Sequence, residues 1–306
     1  MSPVRGILLK IAALLLFTSM ASMVKAAMAH VPPGEAVFFR AVCSLPIIIG
    51  WLAVRGELAT GLRTRHPFLH LWRGVIGGTA MGTNFVALGL LPLPEVTVVG
   101  FVAPIFTLIL AVFILGETVR VFRWSMVVLG LIGVMIVVSP RLSFGQESAD
   151  KVALLGVAMA MSAAMLRSIV QIHIRKMVKT ESTSAIVFYF AITVSLGSLA
   201  TAPFGWVMPD AEVLALLIGA GLIGGGAQLL ITTAFRYADT SVLAPFDYVS
   251  ILFAMIAGYF LFDEVPTLAM LAGASLVVLS GVLIIWRERQ IGIKDRKDRV
   301  SVTPQG

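Results

Sequence analysis

Between Ile7 and Trp286 the chain repeats one pattern: a continuously apolar run of about twenty residues, then a brief polar or proline-rich break. A hydrocarbon core about 30 Å thick takes about 20 helical residues to cross. Ten runs meet that length, at roughly 7–28, 34–54, 68–90, 95–115, 122–139, 152–174, 183–204, 211–236, 240–262 and 266–286. The runs are apolar throughout rather than alternating, which predicts helices and not the short strands of a barrel. The breaks carry the prolines expected where one helix stops and another starts: His30 to Glu35, Leu91 to Glu95 and Asp263 to Thr267. Only Val54 to Pro67 and Pro140 to Lys151 are much longer than a tight turn.

Composition agrees: 58% of the 306 residues are hydrophobic and 13% charged, with mean hydropathy +0.98. Soluble domains carry about 25% charged residues, so the expected fold class is an all-α integral membrane protein whose first partner is the lipid bilayer. The net charge of +7 does not point to nucleic acid, because the basic residues are sorted by side. With the N-terminus in the cytoplasm, Arg5, Lys10, Arg55, Arg63, Arg65, Arg120, Arg123, Arg175, Lys176, Lys179, Arg236 and the tail from Arg287 to Arg299 share that side; only Arg141 and Lys151 face the other. This asymmetry predicts a multi-pass protein of the cell inner membrane with both termini cytoplasmic. The first run resembles a cleaved signal peptide, but Lys25 interrupts its small residues, and retention is expected. The lone Cys43 cannot form an internal disulfide.

Shifting the sequence by 147 positions lays Glu117 on Glu264, Gly77 and Gly78 on Gly224 and Gly225, and Ala87 on Ala234. The chain therefore reads as a duplication: a first repeat over 1–146, a second over 147–290, and a basic cytoplasmic tail at 291–306. Five spans per repeat is an odd number, so the repeats are inverted, as in many secondary transporters. Glu117 and Glu264 each end an apolar run just ahead of a helix, where a carboxylate accepts orphan backbone N–H groups.

Charge inside lipid is costly and marks candidate function. Lys25, Arg40, Arg73 and Arg167 fall within spans, and each is either a site residue or a snorkelling cation. Asp247 is the acidic residue placed within a span; it either pairs with Arg167 at similar depth or carries a coupling proton. The candidate substrate contacts are Ser19, Lys25, Arg40, Arg73, Asn84, Gln228 and Tyr248, with Asp247 and Arg167 as a coupling or charge pair. Thr83, Ser162, Thr232 and Tyr189 are polar neighbours, and Pro104 a candidate kink. The run Gly219 to Gly224 spells a dinucleotide fingerprint, but it sits within apolar sequence and is read as a helix-packing face. His66 and His70 lack a third ligand, so no metal is expected, no cofactor, and no catalytic residue. No hydrolase motif appears, which leaves a transporter ahead of a membrane receptor or sensor, with a membrane-embedded enzyme behind both.

The turns Gly116 to Phe122 and Phe262 to Leu268, the stretch Val31 to Val42 with Arg40 inside it, Lys25, and the run Val86 to Val99 resemble the EamA family of the drug/metabolite transporter superfamily. The resemblance covers about residues 7 to 286. It implies ten transmembrane helices as two inverted five-helix repeats, around a cavity lined by spans one, three, four, six, eight and nine. It implies alternating access for a small polar or aromatic metabolite, with riboflavin or S-adenosylmethionine as specific expectations. A homodimer stays open as the protein partnership.

Overall fold

The computed structural model describes residues 3–103, 105–106, 109–110, 121–141, 147–177, 180–238 and 240–301, and among these every regular element is a helix. The helices are α1 (Pro3–Ala27), α2 (Pro33–Val42), α3 (Leu45–Val54), α4 (Leu58–Gly61), α5 (Pro67–Leu90), α6 (Leu93–Gly100), α7 (Val121–Val138), α8 (Glu147–Met177), α9 (Thr183–Leu199), α10 (Ala211–Tyr237), α11 (Thr240–Leu243), α12 (Val249–Phe262) and α13 (Leu268–Ser301). Helix starts are chemically specified. Pro33 and Pro67 occupy first-turn positions where a missing N–H costs nothing. Ser182 and Asp210 accept the N–H of Ala185 and Val213 at 3.1 and 2.8 Å.

Among the described residues four helical stretches are long and apolar enough to cross a bilayer: Val4–Ala27, Pro33–Val54, Lys151–Ile174 and Ala211–Ile231; four shorter apolar ones are Trp124–Val138, Ser184–Leu199, Phe246–Phe262 and Leu268–Ile284. α5 has the length but carries His70, Arg73, Thr79, Thr83 and Asn84, the composition of a helix that serves an interior rather than lipid.

α1 packs along α10 and α8 along α5; α7 lies against α13; α9 contacts α2 and α5; α2 contacts α10; α12 touches α1 and α6 touches α8. Small residues set the closest approach. A Cβ on Gly133 of α7 would stand 2.7 Å from the carbonyl oxygen of Gly273 on α13, so only glycine permits that crossing. Two carboxylates tie loops across the bundle. Glu35, at the start of α2, accepts the N–H of Val207 at 3.1 Å, while Glu181, just ahead of α9, accepts that of Arg65 at 3.2 Å.

Spans four and nine are interrupted. α6 ends at Gly100, and a turn at Phe101 and Val102 follows before helix resumes. The short α11 passes into a 3-10 segment, Ala244–Tyr248, with Pro245 in its first turn, before α12 begins. Span two also divides, between α2 and α3 at Cys43 and Ser44. Pro104 and Glu117 lie outside the described residues.

Candidate functional site

The interrupted spans enter from opposite ends of the molecule and meet at their breaks. Phe101 and Tyr248, 147 positions apart, stack there with ring centroids 4.8 Å apart and planes at 27°. Tyr248 is wedged, since its hydroxyl fills the space where a Cβ on Gly281 of α13 would stand. Arg167 of α8 lies beside the first break, its guanidinium nitrogen 3.0 Å from where a Cβ on Gly100 would be. Its Nε donates to Ala163 O at 3.3 Å, and the side chain remains open to solvent-sized space although its helix packs on α5 and α6. Asp247 lies beside the second break with 41% of its side chain accessible, and it pairs with Lys10 of α1 at 2.7 Å. Broken helices, an aromatic pair and charges of both signs thus converge at one accessible place. Unwound backbone at membrane depth is stable only where protein or a polar cavity satisfies it.

Asp247 therefore takes Lys10, not Arg167, as its partner. Lys10 is 4% exposed and belongs to this interior rather than to a headgroup surface. Lys25 is also fully engaged. Its ammonium pairs with Glu264 at 2.9 Å and donates to Leu88 O at 3.2 Å and Leu91 O at 2.6 Å. Glu264 in turn accepts the N–H of Leu93, at the start of α6, at 2.9 Å. The carboxylate satisfies an orphan helix N–H as its sequence position suggested, but on α6 rather than on the helix that follows it. This cluster joins α1, α5, α6 and the end of α12 into a closure at one mouth of the bundle.

At the other mouth His70 Nε2 lies 3.2 Å from Glu181 Oε2, both side chains almost fully buried. Burial raises the Glu181 carboxyl, but hydrogen bonds from His70, Thr64 and the Arg65 N–H outweigh it and hold the group below the usual carboxylate range. Tyr189 belongs to this clasp, donating to Leu62 O at 3.0 Å with its ring against His70.

Arg40 and Arg73 are shut away at 8% and 7% exposure. The Arg40 guanidinium packs on Gly224 beside Met20, and the Arg73 Cζ sits 4.1 Å above the Phe190 ring. Gln228 is half-buried one turn beyond Gly224, and Asn84 half-buried on the same side of α5 as Arg73, about three turns on. Ser19 donates to Leu15 O of its own helix at 3.0 Å. Phe101 was not singled out from sequence, although the 147-residue shift that aligns the glutamates also lays it on Tyr248. Among the described residues no group of acids, histidines and cysteines could hold a metal ion.

Comparison with known proteins fits this architecture. The chain matches the model of the EamA-like transporter family over residues 4–139 and 154–286. It belongs to that family and is a multi-pass membrane transporter of the drug/metabolite type, not an enzyme. It is 34% identical over 257 residues to the S-adenosylmethionine uptake transporter of Rickettsia prowazekii, covering 84% of each chain. It is 28% identical over 284 residues to the pseudopaline exporter CntI of Pseudomonas aeruginosa, covering 91% of this chain and 95% of that one. The riboflavin transporter of Vibrio cholerae is 28% identical over 258 residues, covering 84% and 83%. One solved crystal structure superposes with a TM-score of 0.66 at 19% identity, over 94% of this chain and 98% of that one, which shows a shared fold.

Proposed function

We propose that this protein is a secondary transporter of the bacterial inner membrane that carries a small dipolar metabolite, of the S-adenosylmethionine type, by alternating access between two inverted five-span halves. The halves are 1–146 and 147–290, with 291–306 and the N-terminus in the cytoplasm. The observation that carries the reading is the meeting of the two broken spans at Phe101 and Tyr248, with Arg167 on one side and Asp247 on the other. In transporters built from inverted repeats, discontinuous helices form the substrate site near mid-membrane.

Further support comes from pairings that exchange under the 147-residue shift. α1 on α10 corresponds to α8 on α5, and α6 on α8 to the contact of α11 and the 3-10 segment Ala244–Tyr248 with α1; the Glu181 clasp answers the Glu35 clasp one position off the shift. Family matches over two stretches of similar length agree with this. Opposite charges beside a stacked aromatic pair favour S-adenosylmethionine, which bears a carboxylate, cationic groups and a flat ring, over uncharged riboflavin.

Counterflow in proteoliposomes tests this. Labelled S-adenosylmethionine should accumulate against an internal pool of the unlabelled compound, and excess external riboflavin should not compete. Asp247→Asn should lower that accumulation at least tenfold while protein and melting temperature are retained. Binding without counterflow would make the protein a receptor and overturn the proposal.

A further inference from the structure

Five buried side-chain nitrogen and oxygen atoms lack a hydrogen-bond partner among the described residues: Arg40 Nε, Arg73 Nε, Arg73 Nη1, Ser195 Oγ and His70 Nδ1. The first four belong to three side chains that the helix packing gathers. Gly34 of α2 meets Thr201, just past the end of α9, and Ile48 of α3 shares an apolar cluster with Val187 of α9, so spans two and seven run antiparallel in a register that sets Ser195 level with Arg40. Arg73 reaches the same helix α9 from α5, its Cζ over Phe190, while Gly74 lies against Thr193. α2 and α5 are themselves in contact, and Arg73 lies within range of the Arg40 charge.

Neither arginine makes an ion pair among the described residues, in contrast to Lys10 and Lys25. A cation–π contact contributes about 0.5–2 kcal/mol, far less than the several kcal/mol that burying an unpaired ion costs. Two like charges shut in together, with four donors facing no acceptor, need an anion between them. The surroundings are tightly packed: a Cβ on Gly77 would stand 2.8 Å from the Phe190 ring, and one on Gly224 3.1 Å from the Arg40 guanidinium. The pair is also more shielded than Asp247: Arg40 and Arg73 are 8% and 7% exposed, against 41% for the Asp247 side chain.

We infer that Arg40, Arg73 and Ser195 form a binding site for a resident inorganic anion of halide size, chloride in the cell, which neutralises the guanidinium pair and locks α2, α5 and α9 together. The site is separate from the helix breaks and does not depend on which metabolite is carried.

Thermal unfolding of the detergent-solubilised full chain tests it, at fixed ionic strength with sodium gluconate replaced stepwise by chloride, bromide, acetate or phosphate. Chloride and bromide should each raise the melting temperature by about 3 °C for every tenfold increase above the dissociation constant. Ser195→Ala, which keeps both charges and should fold, should shift the chloride curve to about tenfold higher concentration. Arg73→Met should abolish the response, and if that variant does not fold, Arg73→Lys should weaken it. Equal melting in all five salts would overturn the inference. Stabilisation by acetate or phosphate without halide would also overturn it, because the site would then be built for an oxyanion. Counterflow of the organic substrate is a separate readout, so failure of either proposal can be told from failure of the other.

Discussion

The position least tolerant of change is Gly281, because the Tyr248 hydroxyl occupies the space of the missing side chain. Gly281→Ala should cost about 1–3 kcal/mol by overpacking. Tyr248→Phe in the same chain should return part of that loss, and melting temperatures of the two variants check both statements. Glu181 supplies the pH-dependent residue. Its carboxyl is held below the ordinary range, so it contributes stability that is fully present above the unfolded value of about 4.3 and is lost as pH falls through the lower folded value. Glu181→Gln should flatten that acid limb of a melting-versus-pH profile; an unchanged limb would remove Glu181 from the account. Sequence alone named Tyr248, Asp247 and Arg167, because charge and aromatic surface inside apolar runs are conspicuous. It did not name Lys10 as the partner of Asp247, since a lysine near a terminus reads as a headgroup contact until the pitch of α1 is known.

At the scale of elements, the closure formed by Lys25 and Glu264 depends on three helix ends at once: two carbonyls closing α5, an amide opening α6 and the end of α12. Lys25→Met leaves a largely buried carboxylate without its cation, and should cost about 3 kcal/mol, or about 6 °C of melting temperature. Exchanging the pair, Lys25→Glu with Glu264→Lys, should recover only part, because the glutamate cannot donate to Leu88 O or Leu91 O. Full recovery would mean that the carbonyl contacts carry no weight. Prolines in the breaks marked the helix boundaries well, since Pro33 and Pro67 can only begin a helix. The interruption after Gly100 was less legible. Val96 to Val102 is as apolar as any continuous helix, and the break becomes understandable only once Arg167 and the Phe101 ring are seen beside it.

For the whole molecule, the proposed alternating-access mechanism rests on the expectation of an odd number of spans in each repeat. Apolar run length carried the membrane assignment and the all-helical class, whereas helix pairing needed three-dimensional contacts such as α1 with α10 and α8 with α5. The most direct test is the sidedness of two repeat-related loops, read with a membrane-impermeant thiol reagent in a Cys43→Ser background. Leu58 and Phe204 are both exposed and follow the second span of their respective halves. The account predicts that Phe204→Cys is labelled in right-side-out vesicles only, and Leu58→Cys in inverted vesicles only. Labelling of both from one face would contradict it.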